Sequence, residues 1–280
     1  MSMTRPEIQA RLHHLCLRSP DPARLAQFFA NGYGMGIVRR PAGPLECRAR
    51  DRRVLIQEGR VNAVSYFGFA FADEAALIEY RQRLSGAGVR LVLNPSPLFE
   101  GRAFGVVDPD GHTVSFGVHE NVPVTSSALP GRLQHIVFRS ADPDAMVAFY
   151  AEKLGFVVSD RVQDDAGVLR ACFLRTDPEH HSLAIFRSPE TRLDHFSFET
   201  PDWEHIRRWA DDLAGKRIPI FWGVGRHGPG NDLFFMVKDP DDNLVEISAE
   251  IEQCAAARPM GVWPHEQRTL NVWGTAIMRS

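Results

Sequence analysis

Two histidines and a glutamate, His135, His195 and Glu246, each interrupt an alternating apolar run, in RLQHIVF, RLDHFSFE and NLVEISA. A glutamate is rarely buried without a partner, because taking a carboxylate out of water is expensive unless its charge is met. Two neutral imidazoles and one carboxylate, with coordination positions left over, form the donor set suited to non-haem Fe(II). Alternation decides whether the three can meet, since side chains two apart share one face of a strand. That rule groups His135 with Leu133 and Val137, opposite Gln134, Ile136 and Phe138. It groups His195 with Leu193, Ser197 and Glu199, opposite Asp194, Phe196 and Phe198, and Glu246 with Leu244 and Ser248, opposite Val245 and Ile247. All three polar groups are therefore expected on one concave sheet face. A lone strand histidine is more often a hydrogen-bonded core residue than a ligand; repetition at equivalent positions argues for a metal.

The elements that must position these residues come in repeats. RLHHLCLRSPDPARLAQFFANGYGM (11–35) aligns without gaps to RLQHIVFRSADPDAMVAFYAEKLGF (132–156), with His14/His135, Arg18/Arg139, Asp21/Asp142, Pro22/Pro143 and Gly34/Gly155 among the identities. Each copy reads as strand then helix. In the second copy Asp142 caps the helix, Pro143 takes its first position, Met146, Phe149, Tyr150 and Leu154 form the buried stripe, and Gly155 ends it. Strands at 156–162, 168–176 and 181–186 complete a βαβββ unit. A further unit opens at 193–199, with a helix presenting Trp203, Ile206, Trp209 and Leu213 on one face and strands near 217–223, 232–238 and 243–249. The first half has the counterpart strand at 64–71, a helix near 73–86 and a closing hairpin at 105–117. The expected fold is α+β: two tandem modules, each of two βαβββ units forming a curved mixed sheet around a central cavity. Expected boundaries are 1–118 for the first module, 119–131 for a polar linker, 132–250 for the metal-binding module and 251–280 for a tail without periodicity.

Composition is that of an ordinary globular chain, 44% hydrophobic and 24% charged, with net charge -3. Scattered Lys and Arg give no basic face for nucleic acid. No apolar run is long enough to span a membrane, and the start lacks a signal-peptide core. Cys16, Cys47, Cys172 and Cys254 are dispersed, which predicts reduced thiols and a cytoplasmic location.

The pattern LxHxxxRSxDP, then LDHFSFE, then DPDDNLVEI resembles the vicinal oxygen chelate superfamily, which includes glyoxalases, bleomycin-resistance proteins and extradiol dioxygenases. Two tandem modules, over roughly residues 10–250, resemble the type I extradiol, ring-cleaving dioxygenases. The resemblance implies His135, His195 and Glu246 as ligands of Fe(II), with Mn(II) as the alternative metal. It implies His181, in EHHSLAIF, as the acid–base residue and His227, in GRHGPGND, as a hydrogen-bond partner of bound substrate. His180 is expected to face away from His181, and His205 to lie on a helix surface. The implied substrates are a small aromatic diol and O2, the implied product a muconic semialdehyde, and the implied assembly a homo-oligomer. Tyr66 aligns with His195 and Ser115 with Glu246, so only His14 remains of a ligand set in the first module, whose expected role is packing. Met236 stands where the resembled enzymes place a Tyr, and Met cannot donate that hydrogen bond. Asp242 stands where a Gly is common. The competing readings are another chelate-type enzyme, cleaving hydroquinones or isomerising like a glyoxalase, and a small-aromatic-binding protein of the resistance type. An isomerase would need a second carboxylate ligand, which the first module does not offer.

Overall fold

Four times along the chain an alternating strand runs into an Asp-capped helix, and four times three more strands follow. In the computed structural model, which describes residues 8–41, 43–119 and 128–278, the first unit is β1 (Ala10–Ser19), α1 (Pro22–Tyr33), β2 (Gly36–Val38), β3 (Leu45–Ala49) and β4 (Arg52–Glu58). The second is β5 (Ala63–Phe71), α2 (Glu74–Gly86), β6 (Val92–Leu93), β7 (Phe104–Val107) and β8 (Thr113–Val118). The third is β9 (Arg132–Ser140), α3 (Pro143–Ala148), β10 (Val157–Gln163), β11 (Leu169–Arg175) and β12 (Leu183–Arg187). The fourth is β13 (Arg192–Thr200), α4 (Trp203–Gly215), β14 (Ile220–Arg226), β15 (Leu233–Lys238) and β16 (Leu244–Ala249).

The helix starts share a cause. Asp21, Asp73, Asp142 and Asp202 each accept a hydrogen bond from the backbone N–H three residues on, at 3.0, 2.8, 3.1 and 3.0 Å, satisfying a donor the helix itself leaves unpaired. Arg217, at φ 59°, turns the chain after α4, so β14 begins at Ile220 rather than near 217. The DPDDN turn is held by Asp239, which accepts from the Asp241 and Asn243 N–H groups at 2.9 Å each. Asp242 takes φ 62° there, the conformation in which glycine is the usual choice.

The strands form two sheets. One orders β2-β3-β4-β1-β5-β8-β7-β6, the other β14-β15-β16-β13-β9-β12-β11-β10 followed by one strand more. That extra strand, β17 (Gly261–Pro264), comes from the tail, runs parallel to β10 and leads into α5 (Gln267–Leu270). The tail carries no helical or strand periodicity in its sequence; it is ordered by side chains instead. Asp160 on β10 accepts from Arg258 Nη1 (2.8 Å), Gly261 N (3.0 Å) and Trp263 Nε1 (2.7 Å). Most of the expected linker, residues 120–127, lies outside the described residues.

One apolar core runs across both sheets. Phe67 of β5 packs on Phe138 of β9 at 5.3 Å between ring centroids, and Tyr33 of α1 packs on Phe198 and Trp209 at 5.5 and 5.6 Å. A second, smaller cluster that includes Val137, Phe173, Phe186, Met236 and Leu270 lies apart from it. Glu199, at the end of β13, is largely enclosed between β16 and the start of the tail, accepting from Ser248 Oγ (2.7 Å) and Ile251 N (3.2 Å). Burial pushes its carboxyl pKa up to about 7. The folded chain then keeps a proton that the unfolded chain releases near pH 4.3. The resulting stability is complete below that pH and is lost as pH rises through 7. Against a Glu199→Gln variant, the wild type is expected to lose about 1–3 kcal/mol between pH 5 and 8 in urea unfolding; parallel pH curves for the two would contradict this.

Candidate metal centre

Strand register brings the three sequence-nominated donors to one level. Ser197 of β13 is paired with His135 on antiparallel β9 and with Glu246 on parallel β16, so three adjacent strands supply the donors. His135 Nε2 lies 3.3 Å from His195 Nε2 and 3.3 Å from Glu246 Oε1, and His195 Nε2 lies 3.8 Å from Glu246 Oε2. Glu246 is completely buried, and the two histidines nearly so.

Strict alternation fails just before each histidine, and this corrects the face assignments made from sequence. Register shifts leave Gln134 as an extra residue in β9 and Asp194 as an extra residue in β13. Such bulges re-aim the side chains around them. Leu133 and Leu193, expected beside the histidines, instead join the main core with Ile136 and Phe196. Gln134 and Asp194, expected on that core face, instead reach the imidazoles: Gln134 Oε1 is 2.5 Å from His135 Nδ1, and Asp194 Oδ1 is 2.6 Å from His195 Nδ1. The first half carries the same device, with His13 extra before His14 and Ser65 extra before Tyr66. The sequence signal was a polar residue directly before each of the two histidines, in a place where the alternation rule demanded an apolar one.

These partners fix the tautomers. Gln134 Nε2 donates to the His181 carbonyl at 2.6 Å, which identifies Oε1 as the acceptor facing His135. Asp194 is held by Arg139 Nε at 2.7 Å and accepts the His195 Nδ1–H. Both imidazoles therefore turn an Nε2 lone pair towards the other and towards a carboxylate whose two oxygens have no hydrogen-bond donor among the described residues. Two lone pairs and a bare carboxylate at these separations repel unless a cation lies among them, so the donor set fits a divalent metal. Burial lowers the pKa of His195, with Asp194 opposing. Replacing Gln134 or Asp194 by Ala is expected to weaken metal affinity about 10- to 100-fold while leaving all three ligands in place. Competition with a metal-sensitive dye would read this, and unchanged affinity would remove both residues from the account.

The equivalent place in the first module is built differently. His14 Nε2 meets Ser96 Oγ at 2.7 Å, Tyr66 and Ser115 occupy the other two positions, and Phe99 packs edge-on against the His14 ring at 4.8 Å between centroids. A Cβ at Gly117 would sit 2.3 Å from Phe99, and one at Gly68 would sit 2.3 Å from His14 and 2.8 Å from Phe99. The glycines make room for Phe99 beside His14, and the second module keeps a cavity beside His135 and His195.

That cavity is flanked by the two other nominated histidines. The His181 ring lies 4.5 Å from that of His135 and 5.1 Å from that of Phe173; burial, with His135 nearby, keeps its pKa well below the ordinary value. His180 is not on the cavity wall, as expected, yet its Nδ1 is 3.1 Å from His181 Nδ1 and its Nε2 is 3.0 Å from Asp160. His227 stacks on Phe234 at 3.8 Å, donates Nδ1–H to the Leu270 carbonyl at 2.5 Å, and places Nε2 3.6 Å from Glu246. Burial opposes charge on His227, but Glu246 and Asp232 raise its pKa overall. His205 lies on α4 beside Asp202. Met236, directly across from Glu246 in the β15–β16 ladder, lines the cavity. Sequence reading missed the tail, which supplies Thr269 and Leu270 to the wall, and Asp232, a fully buried carboxylate beside His227 and Glu246.

The chain is built of paired βαβββ units with a two-histidine, one-carboxylate cluster on its second sheet. Residues 132–247 match the model of the Glyoxalase/Bleomycin resistance protein/Dioxygenase superfamily. Among relatives, it is 28% identical to Metapyrocatechase 2 of Cupriavidus necator, over 95% of this chain and 89% of that protein. It is 25% identical to an iron-dependent extradiol dioxygenase of Rhodococcus jostii, over 79% of this chain and 81% of that protein. Among solved structures, the homoprotocatechuate 2,3-dioxygenase of Brevibacterium fuscum, in an anaerobic complex with 3,4-dihydroxyphenylacetate, shares the fold with TM-score 0.79 and 22% identity. That match covers 98% of this chain and 91% of that one.

Proposed function

We propose that this chain is a non-haem Fe(II)-dependent extradiol dioxygenase that uses O2 to cleave a small catechol-type ring to a muconic semialdehyde-type product. The observation that carries the reading is the convergence of two Nε2 lone pairs and a donorless carboxylate beside an enclosed apolar cavity. His135, His195 and Glu246 would hold the metal, which when bound lowers the pKa of a chelating hydroxyl and brings diol and dioxygen together. The names of the relatives, catechol and extradiol dioxygenases, support the same reaction class.

The chain's own residues then have distinct tasks. His181, whose ring lies 4.5 Å from that of His135, is close enough to the ligand set to take the second hydroxyl proton. The same side chain would later return that proton to the leaving oxygen. His227, anchored by Leu270 and Phe234, offers Nε2 to a substrate oxygen. Val137, Phe186 and Met236 seat the ring and exclude water. Anaerobic calorimetry tests the chelation step: catechol is expected to bind the iron-loaded protein at least about 100-fold more tightly than the metal-free protein. Equal affinities would favour a metal-independent aromatic binder instead.

A further inference from the structure

The cavity beside the metal centre is chemically one-sided. Its wall is made by Val137, Phe173, Phe186, Pro229, Met236 and Leu270, with Thr269 the single hydroxyl and the four histidines the ionisable groups. Among the described lining residues there is no lysine or arginine. The buried charge close by is acidic: Glu246 and Asp232 are both completely buried, neither is paired with a lysine or arginine, and neither Asp232 oxygen has a hydrogen-bond donor. Asp194 is matched by Arg139. His227 already faces Glu246, so it does not stand as a spare cation. A divalent metal offsets Glu246 and the ionised substrate oxygen, which leaves nothing to meet a further anion. The cavity is also narrow in this conformation, with Leu270 of the tail against it, so a substituent held against this wall would be stripped of water.

We infer that the substrate is a catechol whose ring substituent carries no charge, and that the pocket rejects a carboxylate-bearing catechol despite sharing its fold with a dioxygenase crystallised with 3,4-dihydroxyphenylacetate. This rests on the catechol-chelating reading above. The physical reason is that an ionised carboxylate moved into an apolar, already acidic site without a partner loses its hydration and gains no compensating contact.

Three 4-substituted catechols separate charge from size: 4-methylcatechol, 3,4-dihydroxyphenylacetamide and 3,4-dihydroxyphenylacetate. Each would be titrated anaerobically into the iron-loaded protein near neutral pH, with dissociation constants read by calorimetry and by the change in visible absorption. The methyl compound and the amide are expected to bind within about tenfold of each other, and the acid at least about 100-fold more weakly than either. Acid binding as tight as that of the amide would overturn the inference while leaving the catechol reading intact. An amide as weak as the acid would also overturn it, because size or polarity would then be the barrier. Failure of all three to bind would overturn the catechol reading itself, and this inference with it.

Discussion

His181→Phe is expected to retain its metal at wild-type stoichiometry and to turn over catechols about 10²- to 10⁴-fold more slowly, the range for removing a positioned acid–base group. The two effects separate because His181 touches the ligand set without belonging to it. Its ring packs between His135 and Phe173, and Phe has nearly the same shape, so the cavity should keep its form. What is lost is the nitrogen that accepts the substrate proton and returns it. Single-turnover kinetics of the iron-loaded variant against the wild type measures the loss directly. A full-speed variant would assign proton transfer elsewhere, and loss of metal together with rate would make His181 a structural support.

Glu246→Ala and His135→Ala are expected to leave no stoichiometric metal after anaerobic reconstitution, and Glu246→Ala should do so with an opposite effect on the metal-free fold. In the metal-free chain, Glu246 is a completely buried carboxylate with no hydrogen-bond donor, an arrangement that costs stability. Removing it should raise the Tm of the metal-free protein or leave it unchanged, although a residue buried in the sheet has been truncated. The wild type, by contrast, gains stability on metal addition through mass action, about 4 kcal/mol at a thousandfold excess over Kd. Thermal scans with and without Fe(II) therefore give a double signature: the wild type shifts and the variant does not. A Glu246→Ala protein that still shifted with metal would mean that the metal is held by other groups.

How much of this was legible in the sequence follows from which physical rule each feature obeys. The four βαβββ units were readable because Asp caps, proline at the first helical turn and terminal glycines are local signals, and they repeat. The convergence of His135, His195 and Glu246 was readable because a carboxylate and two imidazoles on apolar strands are costly and therefore conspicuous. The bulges at Gln134 and Asp194 were not, because face assignment assumed an unbroken period of two and a bulge is a property of two strands in register. The consequence is specific: the residues that set the His135 and His195 tautomers were placed on the wrong face. The tail was opaque for a different reason. β17 is held by one carboxylate, Asp160, through Arg258, Gly261 and Trp263, a pairing of residues far apart in the chain that leaves no periodic trace.

That the first module lacks an equivalent donor set could be read from Tyr66 and Ser115, but the packing of Phe99 on His14 could not. Phe99 lies in a loop whose sequence gives no hint that Gly68 and Gly117 leave space for it.

The proposed function requires ring cleavage by dioxygen at the His135–His195–Glu246 centre. The most direct measurement follows oxygen consumption with an electrode while recording the visible spectrum, after catechol or 4-methylcatechol is added to iron-loaded protein. The predicted result is one O2 consumed per diol, with a yellow ring-fission chromophore appearing in step, and neither signal from metal-free protein or from Glu246→Ala. Absence of oxygen uptake by fully iron-loaded wild type, or uptake that yields only quinone, would contradict it.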